Sequence, residues 1–143
     1  MKPSLPLVRL GGPVSNAWLL PDTPAGPVLV DAGFGAAWPG IVAGLHLRGL
    51  RVRDLGALIL THRHLDHAAN AARIHRHGVP VYAHGRDAAM LTGDATAPPL
   101  LGRPGPVAVM CAMENRIPPR LERVTTMVDG DEIAGLEVIH APG

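Results

Sequence analysis

Gly56-Ala57-Leu58-Ile59-Leu60-Thr61-His62-Arg63-His64-Leu65-Asp66-His67 is the stretch from which the fold can be read. Residues 56–60 form an unbroken apolar run, which suits a strand buried on both faces. Residues 68–77 (AANAARIHRH) read as an Ala-rich helix stopped by Gly78, and residues 79–83 (VPVYA) as the next strand. Strand, helix and strand from 56 to 83 make a βαβ unit, so the expected class is α/β.

The polar half of that stretch carries the chemistry. His62, His64, Asp66 and His67 put four potential metal ligands within six residues. His62 and His64 are two apart, so in an extended segment both imidazoles project to one side and one cation can take both. Asp66 and His67 are adjacent where the helix begins, and their side chains diverge from the first pair. This spacing suits two neighbouring metals, which lie ~3.5–4 Å apart in dinuclear hydrolytic sites. Nitrogen and carboxylate ligands favour zinc, with iron or manganese as alternatives. The motif also sits where a buried strand meets a helix, the end at which open α/β folds place their sites.

Working outward, residues 5–10, 15–20 and 27–31 read as three strands joined by turns too short for a helical crossover, hence an antiparallel meander. Residues 38–49 read as a helix with Ile41, Val42, Leu45 and Leu47 on its apolar side and Gly49 at its end. Residues 85–93 read as a further helix. From 94 to 122 the prolines at 98, 99, 104, 106, 118 and 119 break any long element, and this segment is expected to be a lid or insertion. Residues 124–128 and 133–139 read as strands around Asp129-Gly130-Asp131, a hairpin-type turn. A last strand running into Pro142-Gly143 has nothing beyond it to close its layer, so the domain spanning 1–143 is expected to be incomplete at its C-terminus.

Composition narrows the function classes. With 47% hydrophobic and 17% charged residues over 143 positions, the chain has the make-up of one globular domain. A net charge of +1 and 3% aromatic residues leave no basic, aromatic surface for tracking phosphates, so no nucleic acid is expected. The single cysteine, Cys111, fits a reducing compartment, and no apolar run approaches the ~20 residues of a membrane span. The expected address is the cytoplasm.

The sequence resembles the metallo-β-lactamase superfamily, and specifically its glyoxalase II-like HxHxDH group. The motif carries the resemblance, together with Leu29-Val30-Asp31-Ala32-Gly33 ahead of it, Val79-Pro80-Val81-Tyr82-Ala83-His84 after it, the Asp129-Gly130-Asp131 turn, and Ile139-His140-Ala141-Pro142-Gly143. The resemblance implies the N-terminal half to two-thirds of a four-layer αβ/βα sandwich. It implies that His62 and His64 bind one metal and Asp66 and His67 a second, two zinc ions in the complete protein. A metal-bound hydroxide would attack a small-molecule ester, thioester, lactone or amide. Asp66 would orient or deprotonate that nucleophile, and Asp31 would stand behind the ligands and order them. The family's third histidine follows directly after its Pro-Gly, so the chain as given is expected to hold an incomplete and inactive site. Ala69 departs mildly from the glycine common in the family at that position.

Other readings remain open within the resemblance: a metal-dependent nuclease, an iron-dependent persulfide dioxygenase, or a catalytically inactive fragment. The diiron electron-transfer members usually carry Glu where His64 stands. His46, His75 and His77 read as surface residues, and His140 as a neighbour of a ligand position. His84, at a strand end on the site side, is a candidate for contact with substrate.

Overall fold

The computed structural model describes residues 6–96, 105–106, 109 and 120–142. A six-stranded sheet runs in simple sequence order: β1 (Val8–Gly11), β2 (Asn16–Leu20), β3 (Val28–Val30), β4 (Ala57–Ile59), β5 (Val81–His84) and β6 (Thr125–Met127). The first three strands are antiparallel, as the short turns require. From β3 onward every pair is parallel, as the intervening helices require. Those helices are α1 (Trp38–His46), α2 (Leu65–Ala68), α3 (Ala71–His75) and α4 (Gly85–Thr92). The class expected from the sequence, α/β, is the class observed.

Alternation along the strands divides the core in two. Leu19, Leu29, Leu58, Val81 and Ala83 pack with Ile41 and Leu45 of α1, Ile74 of α3 and Leu91 of α4. Val28, Ala57, Ile59 and Met127 bury against Ile133 in a second cluster. Strand β4 therefore contributes to both, which explains its unbroken apolar run. Leu58, Leu60, Ile41, Leu45 and Ile74 are fully buried, each worth about 1.5–3 kcal/mol over the exposed state.

Three expectations are corrected. Helix α1 ends at His46 rather than continuing to 49, and Leu47 is 85% exposed. Leu47 is six residues on from Ile41, about 120° around the helix axis from the buried stripe. The terminus is closed by bonds from Leu50 N–H to Leu45 C=O (3.0 Å) and from Gly49 N–H to His46 C=O (2.9 Å), with Gly49 left-handed at φ 71°. The helix expected over 68–77 starts earlier and breaks between Ala68 and Ala71. Asn70 causes the break, because its amide turns to the carbonyls of Ala32 and Phe34 (2.9 and 2.8 Å).

The hairpin also differs from the sequence expectation. Residues 125–127 do not pair with 133–139; β6 joins β5 in parallel, the partner a βαβ unit through α4 provides. The hairpin lies later, between β7 (Glu132–Ile133) and β8 (Leu136–Glu137). Its two-residue loop is Ala134-Gly135, both at positive φ (55° and 79°), the signature of a type I′ turn. Asp129-Gly130-Asp131 instead turns the chain from β6 into β7, with the Asp131 carboxylate accepting the Val128 N–H at 2.8 Å.

Apart from 94–96, 105–106, 109 and 120–122, the segment expected to form a lid lies outside the described residues, as does Cys111. Among the described residues no helix is long and apolar enough to cross a membrane.

Candidate metal centre

Strand β4 ends at Ile59, and the chain leaves it through Leu60, Thr61 and the ligand motif into α2. His64 is the N-cap of α2, so Asp66 and His67 occupy its first turn. A carboxylate there is favoured by the exposed N–H groups of the helix start.

The motif is anchored from β3 by Asp31, which is 4% exposed. Its Oδ1 accepts the Thr61 N–H (2.8 Å), and both carboxylate oxygens lie within 3.0 Å of the Thr61 hydroxyl. Its Oδ2 lies 2.8 Å from His67 Nδ1. That bond leaves His67 Nε2 directed at Asp66 Oδ2, 3.3 Å away. Asp31 reaches both partners from a left-handed backbone, φ 61°, a conformation disfavoured for a residue with a Cβ and found at sites whose surroundings hold it in place. Those surroundings are visible: the Asp31 N–H bonds Ile59 C=O (2.8 Å), and the Ala32 N–H bonds His67 C=O (2.6 Å).

Ligand atoms of His62, Asp66 and His67 lie within 4.8 Å of one another, and all three side chains are half-buried. His62 is the hub: its ring is 4.0 Å from that of His67 and 4.8 Å, edge-on, from that of His64. The Thr61 hydroxyl lies 3.0 Å from His62 Nδ1. The three-residue group thus crosses the two pairs suggested by sequence spacing, and His64 stands against its edge. Burial pushes the His62 imidazole below the usual histidine value. His67 and His64 push it the same way, while Asp31 and Asp66 oppose them. A neutral imidazole is the form a metal requires.

The residues fit a cation. Asp66 Oδ1 is buried with no hydrogen-bond partner, beside two imidazoles. A buried carboxylate oxygen without a donor is costly, and a metal ion is a partner that removes the cost.

Three contributors were not legible as such in the sequence. Asp87, in the first turn of α4, accepts the Arg63 N–H at 3.1 Å, tying the residue between His62 and His64 to the next helix. Asn70, 1% exposed, clamps the loop after Asp31 to the motif helix. Ser15 Oγ accepts the Phe34 N–H from the far side of that loop, at 2.8 Å. The one available signal was a lone polar residue, Asn70, inside an alanine-rich helix. His84 lies outside the three-residue group, its ring parallel to that of His140 with centroids 4.8 Å apart. His46 and His77 are exposed, and His75 bonds the Val79 carbonyl (3.0 Å).

Comparison with known proteins agrees with this picture. Residues 10–143 match the family model of the metallo-beta-lactamase superfamily. A probable metallo-hydrolase of Bacillus subtilis (strain 168), YflN, is 40% identical over 81 residues, which is 56% of this chain and 31% of that protein. A metallo-β-lactamase from Cronobacter sakazakii, described by its HARLDQ motif, superposes with a TM-score of 0.68 at 26% identity, covering 89% of this chain and 46% of that one. A B3 metallo-β-lactamase with an active-site glutamic acid superposes at 0.66 with 30% identity, covering 87% and 44%. The chain therefore spans less than half the length of these relatives, and it matches the N-terminal part of their fold.

Proposed function

The chain belongs to the metallo-β-lactamase superfamily, and from that premise we propose that it supplies the first ligand cluster of a metal-dependent hydrolase acting on a small-molecule ester, thioester, lactone or amide. The observation that carries the reading is the convergence of His62, Asp66 and His67 ligand atoms within 4.8 Å, with one buried oxygen of the Asp66 carboxylate lacking a donor. Zinc is the proposed metal, two ions in the whole protein, with His62 and His64 serving one and Asp66 and His67 the other. A bound divalent ion supplies Lewis acidity and a water that ionises near neutral pH.

The chain's own residues do the rest. Asp31 holds His67 by Nδ1, which fixes its tautomer and presents Nε2 to the site. Thr61 does the same for His62 Nδ1. Asp66 would accept a proton from the attacking water or orient it. On this assignment each metal has two protein ligands, whereas catalytic zinc usually has three. Residues 1–143 alone are therefore expected to bind metal weakly and turn over little.

The proposed partner is a small cytoplasmic substrate rather than nucleic acid, in keeping with the charge of +1. Written beside the HARLDQ of the Cronobacter relative, the six residues His62–His67 read HRHLDH. The present chain thus has histidine at the two letters where that motif has arginine and glutamine, the composition of an all-histidine-and-aspartate cluster.

The test is turnover by a protein carrying this chain together with the remainder of such a fold, loaded in turn with zinc, iron and manganese. The panel spans thioester, lactone, β-lactam, phosphodiester and persulfide. Hydrolysis of a thioester, lactone or β-lactam, lost in His62→Ala, is the expected result. Exclusive phosphodiester cleavage, or oxygen consumption with persulfide, would replace this reading with the nuclease or the dioxygenase.

A further inference from the structure

A concavity is lined by residues of α1, of the turn entering β4 and of the end of α3. Its volume is about 360 Å³. Trp38, Val42 and His46, spaced four apart along α1, form one wall. Arg51, the buried Val52, Arg53 and His77 supply the rest of the lining. Among the described residues no carboxylate lines it.

The walls have a definite chemistry. The Trp38 ring stacks with the His77 imidazole, centroids 6.4 Å apart and planes 18° from parallel. The Arg73 guanidinium lies 5.6 Å from the centroid of the same ring. Arg73 and His77 thus contact the indole, and Arg51, Arg53 and His46 line the same concavity. Asp54 follows the lining residue Arg53 in sequence. Its Oδ2 accepts the Arg51 N–H at 2.7 Å, and its Oδ1 stands 4.0 Å from Arg53 Nε in an exposed pair that is weak in water. Both Arg51 and Arg53 are exposed, so their planar donor forks are accessible to an incoming anion.

We propose that this pocket binds a small aromatic anion, with its flat ring against Trp38 and its acid group against Arg51 and Arg53. Ring stacking and cation–π attraction reward the aromatic body, and the guanidinium fork rewards a carboxylate, sulfonate or phosphate. The volume is within the range of small-molecule sites and suits a bicyclic ring with one acid group. None of the lining residues belongs to the ligand motif, so the inference stands apart from the hydrolase reading.

The test is calorimetric titration of the metal-free chain with naphthalene-1-sulfonate, with 1-naphthoate as a second acid and 1-naphthalenemethanol as the neutral analogue. Both acids are expected to bind saturably, with the alcohol at least tenfold weaker. The Arg51→Gln, Arg53→Gln double variant changes only exposed side chains and should weaken the acids at least tenfold, as should Trp38→Leu. The His62→Ala, His64→Ala variant should bind as the parent does. The proposal is overturned by acids that fail to saturate at millimolar concentration or by equal binding of the alcohol. Indifference to the arginine changes, or loss of binding in the histidine variant, would overturn it equally.

Discussion

Asp31 joins three parts of the molecule through one carboxylate: its own strand end, the Thr61 turn and the His67 ring. Replacement by Asn keeps the shape but puts an amide where an anion faces His67 Nδ1. The preferred tautomer is then lost, and with it the presentation of Nε2. Asp31→Asn is expected to weaken zinc binding 10–100-fold, measured by competition with a chromophoric chelator, while far-UV circular dichroism stays that of the parent. His62 makes a second prediction at this scale. Its folded value is depressed below the ordinary 6.5, with burial the largest cause. The unfolded chain therefore takes up the proton first as pH falls. Stability associated with neutral His62 is fully present above that ordinary value and is lost as pH drops through the folded one. In metal-free protein, urea midpoints should fall between pH 7 and 5, and His62→Gln should flatten that slope. An equal slope in the variant would show that other groups carry the acid response.

At the scale of elements, the entry to β4 is set by close backbone approach. A Cβ on Gly56 would stand 1.9 Å from the Ala25 carbonyl oxygen, and the Gly56 N–H bonds Pro27 C=O at 2.8 Å. Gly56→Ala must therefore push apart the strand that delivers the ligand motif and the turn ahead of β3. It is expected to cost about 1–3 kcal/mol in chemical denaturation. The elements most legible in the sequence were those with a single strong signal. The 56–60 run, the short turns among β1–β3 and the glycine after α1 each have one physical reading. The misread elements were those where a tertiary contact overrides the local pattern. Asn70 interrupts an alanine-rich helix because its amide is needed at Ala32 and Phe34. Asp129-Gly130-Asp131 looked like a hairpin, but β6 is drawn into the parallel sheet beside β5. The concentration of histidine and aspartate at 62–67 was visible in the sequence, but the grouping of His62 with Asp66 and His67 was not. Nor was the support by Asp87, because residues 24 apart in sequence leave no periodic trace.

Across the molecule, two clusters bury opposite sides of one sheet, and the candidate metal-binding segment 62–67 emerges where β4 gives way to α2. That geometry belongs to the N-terminal part of the superfamily fold, and the chain spans 46% of the Cronobacter structure it superposes on. Residues 62–67 are proposed to be a metal site built by this part of the fold. The most direct measurement is calorimetric titration of residues 1–143 with zinc, beside the His62→Ala, His64→Ala variant. Saturable uptake of ~1–2 ions per chain by the parent and none by the variant is the result predicted here. Equal uptake by both chains, or none by the parent up to millimolar zinc, would contradict it.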